Sequence, residues 1–449
     1  MGPQWKASRL APFDRDMVPF PLMKQAARVR LRGTVAVPGD KSIAHRAALL
    51  ASIARGKSVI DRFPSGADCH RTLDLLEALG VRVERESEQV SVSGTGYFGF
   101  RKPSSTLYVG NSGTTMRMAC GLLCGQPFDS TLRGDASLGR RPMRRVIEPL
   151  GRMGAVIESS DEGTAPLAIH GGQKLKGIHY RLPVASAQVK TAILLAGLHA
   201  DGETLVEEPL ASRNHTELAL LRFGASVQMG NGGVRAIRIR GGDPLGSAHI
   251  RLPGDTSSAA FFIVGATILP GSCLVLPEVG LNPTRTALLE VLRSMGARIT
   301  VEEEHDVDME RTGTIRVEGS ELTGVEVPKE RVPGLIDEIP ALAVAASFAH
   351  GETVIRGAAE LRVKESDRIR ALATGLCALG VDVEELPDGL RIRGGRPMQP
   401  ASLASFGDHR IAMAWGVASL AVEGCEIQGK DIADISYPGF WETLNRTIA

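Results

Sequence analysis

Small and apolar residues recur along the chain in six runs, each opened by a turn marked with Gly or Pro. They are PGDKSIAHRAALLASIARG from Pro38, GNSGTTMRMACGLLCG from Gly110, VASAQVKTAILLAGLHADG from Val184, PGDTSSAAFFIVGATILPG from Pro253, PGLIDEIPALAVAASFAHG from Pro333 and GDHRIAMAWGVASLAVEG from Gly407. At a spacing of roughly 70 to 80 residues, each copy reads as one supersecondary unit that must stack on its siblings to bury its apolar face. Stretches such as Thr191–Leu198 and Ala341–Phe348 are apolar on nearly every side, which predicts helices lying inside the molecule.

A second repeat alternates with the first. LEALGVRV ending at Val83, LGRMGAVI at Ile157, LLRFGASV at Val227, LRSMGARI at Ile299 and LCALGVDV at Val383 each close an amphipathic helix with Gly and continue into alternating apolar positions. Gly just past a helix suits a left-handed cap, and the alternation predicts a half-buried strand. Each unit is therefore expected to run helix, helix, strand, strand, in an α/β fold.

Five full units and a sixth whose tail is only YPGFWETLNRTIA exceed what one core usually holds in a chain of 449 residues. Two domains of three units are predicted, with the junction near Leu252. The isolated strand in RVRLRGTVAV is expected to complete the short sixth unit, so that residues 26–39 and 253–449 form one domain and residues 40–252 the other. Residues 1–25 mix Arg, Asp and Pro without an apolar core and read as a loose, flexible extension rather than a signal peptide.

Composition narrows the function classes. A net charge of +1 argues against a nucleic-acid or anionic-membrane partner, and no apolar run approaches the length of about 20 residues that crosses a bilayer. Cys69, Cys120, Cys124, Cys273, Cys377 and Cys425 form no CxxC pair and lie in or beside apolar stretches, which predicts buried free thiols in a reducing cytosol. Gly94, Gly96 and Gly99 spell GxGxxG, but FRKPSSTLYV follows where a nucleotide-binding helix should open. Gly56, Lys57 and Ser58 imitate the end of a phosphate loop, but they are read as ending a helix instead of starting one. No metal-ligand pattern is present, so neither a metal nor another cofactor is expected.

The polar residues concentrate in the first turns of the six apolar helices: Lys41, Ser42 and Arg46; Asn111, Ser112, Thr114 and Arg117; Ser186, Gln188 and Lys190; Asp408 and Arg410. Cations there oppose the helix dipole, whereas unpaired N–H groups, Ser and Lys together build an anion site. The fourth copy, with Asp255, Thr256, Ser257 and Ser258, reads as capping alone. Other turns add Arg140 and Arg141 ahead of Pro142, which suits a first helical position, then Arg213, and then Lys364, Glu365, Asp367 and Arg368, with Lys364 and Arg368 predicted on one helical face. Asp337, directly before an apolar helix, is a candidate general base. The expected ligand is small and polyanionic.

These motifs carry a resemblance. PGDKSIAHR, GNSGTTMR, GDASLGRRPM, ASAQVK, IDE, VKESDR and DHRIAM stand in the order found in the 5-enolpyruvylshikimate-3-phosphate synthases, and ASAQVK and GDASL resemble the class II branch. The resemblance spans nearly all of the chain after about Arg28. It implies two inside-out α/β barrels of three βαβαββ-type units, the enolpyruvyl transferase fold, with the active site in the cleft between them. It also implies transfer of the enolpyruvyl group of phosphoenolpyruvate to the 5-hydroxyl of shikimate 3-phosphate, through a tetrahedral intermediate, in chorismate and aromatic amino acid biosynthesis. A cytoplasmic monomer acting on these two small molecules is expected.

Carried over residue by residue, the resemblance places Lys41, Ser42, Arg46, Ser186, Ala187 (through its backbone), Gln188, Arg213, Asp337 and Lys364 on shikimate 3-phosphate. Lys41, Gly113, Arg141, Gln188, Arg368 and Arg410 fall on phosphoenolpyruvate. Asp337 would take the hydroxyl proton with Lys364 beside it, Glu365 would serve the methylene carbon, and Lys41 completes the catalytic set. Two positions depart from the class I pattern: Glu360 stands in place of Asn, and Ile435 in place of a substrate-contacting Lys. Gly113 stands where the herbicide-tolerant class II form has Ala, so competitive inhibition by glyphosate is expected. The related transferase acting on UDP-N-acetylglucosamine has Lys-Asn where this chain has Lys41-Ser42, and a Cys in the loop that here reads GDASLGRRP. A two-lobed binding protein without chemistry would need the cations but not Asp337 and Glu365 together.

Overall fold

The computed structural model describes residues 29–230 and 235–449; the expected extension over residues 1–25 lies outside them. The six apolar runs are the helices Lys41–Ile53, Gly113–Leu123, Ala187–His199, Thr256–Ile268, Ile339–Phe348 and His409–Ala421. Every residue of Thr256–Ile268 is buried, in keeping with an apolar helix that has no face for water. Small residues let these helices touch backbone to backbone. A Cβ on Gly121 would stand 2.2 Å from the Ala192 carbonyl oxygen of the neighbouring helix.

Each unit contains one strand more than the two repeats suggested. In the first, Arg55–Asp61 runs between the helices Lys41–Ile53 and Ala67–Ala78, and the hairpin Arg82–Glu86 and Gln89–Thr95 pairs antiparallel beside it. Gly56, Lys57 and Ser58 therefore lie in this strand, not at a helix end. A further strand joins each of the first four sheets in parallel. Leu107–Tyr108 serves the second unit and His179–Arg181 the third, each preceding its unit in sequence.

Two of the parallel strands come from far away, and they close each half of the chain on itself. His249–Arg251, at the end of the third unit, pairs with Val59–Asp61 of the first. Arg32–Thr34 pairs with Cys273–Val275 of the fourth unit, not with the sixth as expected. The sixth unit keeps a two-stranded sheet, Ser402–Ala404 with Glu426–Gln428, and meets the N-terminal segment through the bridge between Leu31 and Ile448.

The buried apolar side chains form two clusters. One gathers residues from Ile43 to Leu252; the other joins Leu31, Val35 and Val37 to residues from Ala259 to Leu444. We refer to these as the first and second halves. The two segments that pass between them lie side by side: Asp40 N–H donates to Pro253 O and Asp255 N–H to Pro38 O, each at 2.8 Å.

Other expectations need local correction. Cys69, Cys120 and Cys124 are buried, but Cys273 and Cys425 are half-buried and Cys377 is exposed; all six are free. Pro142 precedes the helix Arg144–Arg152 by two residues instead of opening it. Lys364 and Arg368 belong to different elements, because Asp367 caps a new helix over Arg368–Ala378 after the 3-10 turn Ala359–Val363. Asp255 does cap Thr256–Ile268, accepting from the Ser257 and Ser258 N–H groups. No helix among the described residues is long and apolar enough to cross a membrane.

Candidate active site

Starts of the apolar helices converge where the two halves meet. From the first half come Lys41 and Ser42, opening one helix under the Asp40 cap; Gly113, opening another under Ser112; and Ala187 and Gln188, opening a third under Ser186. From the second come Asp337 and Glu338 ahead of Ile339–Phe348, and Asp408 and Arg410 at the start of His409–Ala421. Lys364, Glu365 and Arg368 approach through the turn before Arg368–Ala378.

The carboxylates and cations of this cleft are matched to one another across the two halves. Asp337 accepts from Arg213, which also donates from Nη1 to the Ser42 hydroxyl at 3.1 Å. Arg368 Nη1, Lys364 Nζ and Arg410 Nη2 lie 3.3, 3.7 and 3.9 Å from the same carboxylate. Burial alone would raise the Asp337 pKa, but Lys364, Arg410, Arg213 and Arg368 together hold it well below its usual 3.8. Glu365 lies 3.2 Å from Arg141 Nη1 and 2.7 Å from Arg368 Nη2; these cations outweigh burial and hold its pKa well below 4.5. Burial, followed by the charge of Arg368, pulls Lys364 below its ordinary value against the opposing carboxylates.

Arg368 is 1 % exposed and spends its fork on Asp408, Glu365 and Asp337. Arg46 is buried as well, donating to Thr216 and Thr191 hydroxyls and to the Ser42 carbonyl, which leaves two of its five N–H groups for a ligand. Gln188 donates to Thr114 at 2.9 Å and accepts from Arg117 at 2.8 Å. Arg410 donates to the Asp337 carbonyl at 3.0 Å. The space above Gly113 is not open: a Cβ there would meet Arg117 Nη1 at 3.0 Å and Arg141 Nη1 at 3.1 Å.

Lys190, named with the helix-start cations, faces away from the cleft. It is fully buried between Glu208 and Glu217, at 2.9 and 2.6 Å. Three groups, Asp68, Arg145 and His409, escaped the sequence reading of the site. Asp68 pairs with Lys41; it opens the outer helix of the first unit, as RRPMRR and SRNHTE open theirs, and that parallel was the available signal. Arg145, inside RRPMRR, pairs with Glu360 across the cleft mouth. Asp408, named among the helix-start residues, accepts from Arg368 and Ser366 besides capping its helix. His409 is buried with neither ring nitrogen partnered among the described residues, and burial followed by the Lys41 charge lowers its pKa to about 4.

Such a site, rich in Arg forks and Lys with two carboxylates poised among them, binds phosphates and carboxylates bidentately and can move protons between substrate and side chain. Among the described residues no three His, Cys, Asp or Glu side chains converge in a way that could hold a metal ion.

Comparison with known proteins agrees with this chemistry. The chain is 51 % identical over 418 residues to a 3-phosphoshikimate 1-carboxyvinyltransferase of Desulfitobacterium hafniense, covering 93 % of this chain and 95 % of that one. It is 52 % identical over 414 residues to the protein of the same name from Alkalilimnicola ehrlichii, covering 92 % of each. A solved structure of EPSP synthase from Acinetobacter baumannii superposes with a TM-score of 0.82 at 45 % identity, covering 94 % of this chain and 97 % of that one. The enolpyruvyl transferase NikO of Streptomyces tendae, at 19 % identity and a TM-score of 0.73 over 94 % and 96 % of the chains, shares the fold. The family model of EPSP synthase (3-phosphoshikimate 1-carboxyvinyltransferase) matches residues 26–444, and the chain belongs to that family.

Proposed function

We propose that this cleft carries out the family's reaction with the residues placed as follows. Ser42, Arg46, Ser186, Ala187, Gln188 and Arg213 of the first half hold shikimate 3-phosphate, and Lys41, Gly113, Arg141, Gln188, Arg368 and Arg410 hold phosphoenolpyruvate. The 5-hydroxyl oxygen bonds to the central carbon of phosphoenolpyruvate while its proton passes to Asp337, with Lys364 alongside, and the methylene carbon takes a proton from Glu365. The tetrahedral intermediate then returns a methyl proton to Glu365 as the carbon–phosphate oxygen bond breaks, and the departing phosphate takes up the proton held by Asp337, with Lys41 and the arginines neutralising its charge. Atoms and charges balance without a cofactor.

The observation that carries this reading is that Asp337 and Glu365, both from the second half, each lie against an arginine of the first: Arg213 and Arg141 respectively. Substrate anions replace these carboxylates as partners of the arginines. Released from their cations, both carboxylates gain proton affinity when substrate is in place, as a base and an acid acting in turn must. Preorganised cations then favour the charge that develops in the transition state.

On the same reading, residues 40–252 form one domain and residues 26–39 with 253–449 the other, the two closing on substrate. The protein acts as a cytoplasmic monomer, and glyphosate competes with phosphoenolpyruvate. Phosphorus NMR of the protein with shikimate 3-phosphate and phosphoenolpyruvate tests the reaction: inorganic phosphate and the enolpyruvyl ether should appear together. Binding without turnover, or turnover only with UDP-N-acetylglucosamine as acceptor, would overturn it.

A further inference from the structure

Arg285 lies outside the cleft, in the turn before the helix Ala287–Ser294, and is 1 % exposed. Its guanidinium faces three buried carboxylates at once: Nη1 is 3.4 Å from Asp40, and Nη2 is 3.4 Å from Asp255 and 3.5 Å from Glu338. Nη2 also donates to the Ser257 hydroxyl at 2.6 Å, and that hydroxyl in turn donates to Glu338.

Each of these partners positions something else. Asp40 caps the helix that begins with Lys41 and Ser42, so it fixes the direction of the first-half side chains nearest the substrates. Asp255 caps the first helix of the second half. Asp40 and Asp255 are also the residues at which the two crossing segments are stitched together, through Asp40 N–H to Pro253 O and Asp255 N–H to Pro38 O. Glu338 is the immediate neighbour of Asp337 and occupies the cap position of Ile339–Phe348.

Three carboxylates this close repel one another unless a cation lies among them. Of the other cations nearby, Arg410 Nη1 lies 3.9 Å from Glu338 and the charge of Arg213 acts on Asp40, and both belong to the substrate site. Only a planar fork reaches carboxylates on different sides in this way; an ammonium on a single stem cannot span them.

We propose that Arg285 is a positioning residue for the reaction, locking the crossing point between the halves to the Asp337–Glu338 turn, so that Lys41 and Asp337 meet the same substrate in register. Arg46 and Gln188, assigned to shikimate 3-phosphate, take their side-chain partners from Thr216, Thr191 and Thr114 of the first half and not from the Arg285 cluster. Binding of that substrate therefore depends little on Arg285, whereas alignment of the base depends on it strongly. A misplacement of about 1 Å at a reacting group can cost on the order of a hundredfold in rate.

The inference rests on the assignment of Asp337 as base, and full turnover by Asp337→Asn would sink that assignment by itself. The test here is Arg285→Gln, with shikimate 3-phosphate affinity measured by calorimetry and kcat by phosphate release. Affinity should stay within about threefold while kcat falls at least about tenfold. Arg285→Lys, which keeps the charge but cannot span the carboxylates, should lower kcat less than Gln does, and if the Gln variant does not fold, a kcat below that of the parent protein at unchanged affinity in the Lys variant serves as the test. Unchanged kcat in the folded variant, or a loss of affinity in parallel with kcat, would overturn the proposal.

Discussion

Arg141 of the first half donates from Nη1 to Oε1 of Glu365 of the second across 3.2 Å, so the residue assigned to phosphoenolpyruvate and the residue assigned to its methylene carbon are partners before either meets substrate. The pairing makes the Glu365 proton conditional on ligand. With Arg141 and Arg368 on the carboxylate, Glu365 stays ionised at neutral pH; with those arginines drawn to a phosphate or carboxylate of substrate, it can hold a proton. Glu365→Gln should lower kcat by about a hundredfold to ten-thousandfold, the range general acid catalysis supplies. Phosphate release under saturating substrates is the measurement, and near-full turnover by the variant would remove Glu365 from the proton transfer.

Gly113→Ala separates glyphosate from phosphoenolpyruvate. The added methyl meets the tips of Arg117 and Arg141 at 3.0 and 3.1 Å, tight contacts with the flexible ends of side chains that can shift. A bulkier inhibitor sharing this space should lose about 10- to 200-fold in affinity, the range one methylene commands in a fitted pocket, while the KM for phosphoenolpyruvate changes far less. Inhibition constants measured for both proteins against phosphoenolpyruvate check this. An equal change in both constants would contradict the steric account.

How far the site could be read from the sequence is clearest at these positions. The apolar runs mark all six inner helices because a buried helix leaves no polar stripe, and the residues at their starts stand out against the helix dipole. Pairings between distant segments were not legible. Arg32–Thr34 joins the fourth unit's sheet because each half closes on a strand delivered from elsewhere in the chain, a choice made by packing and not by local pattern. Arg55–Asp61 was missed because it follows its helix with almost no turn and begins with exposed Arg55, Gly56 and Lys57. The bend between Lys364 and Arg368 was hidden by a spacing that also suits one helical face; the Asp367 cap, accepting from the Arg370 N–H, decides it. Asp68 and Arg145 required knowledge of which outer helices reach the cleft.

Glu360 and Arg145 close the cleft mouth with an ion pair whose side chains are 30 % and 24 % exposed. Solvent screens such a pair, so it contributes no more than about 1 kcal/mol, enough to bias closure without controlling the chemistry. Glu360→Asn should raise the radius of gyration of the substrate-free protein in solution scattering and leave kcat within about fivefold, the factor that corresponds to about 1 kcal/mol. No change in radius would mean that the pair does not bias closure.

Two buried imidazoles make stability pH-dependent. Burial first, and the Lys41 charge second, lower the pKa of His45 to about 3 and of His409 to about 4, from 6.5. The unfolded chain takes up these protons as pH falls below 6.5, whereas the folded protein does not until about 4 and then 3. Their contribution is therefore fully present above pH 6.5 and is lost progressively below it, at about 1.4 kcal/mol per pH unit for each group. Melting temperature measured from pH 7 to 4.5 should fall less steeply for His409→Asn than for the parent protein. Identical slopes would show that His409 titrates normally.

The central claim is that Asp337, held among Arg213, Arg368, Lys364 and Arg410, becomes the base for the 5-hydroxyl once substrate has drawn the arginines away, with Lys364 remaining alongside. Single-turnover phosphate release by Asp337→Asn, with shikimate 3-phosphate saturating and its affinity measured separately, tests this most directly. The account predicts a rate lower by about a hundredfold to ten-thousandfold with shikimate 3-phosphate still bound; a rate near that of the parent protein would contradict it.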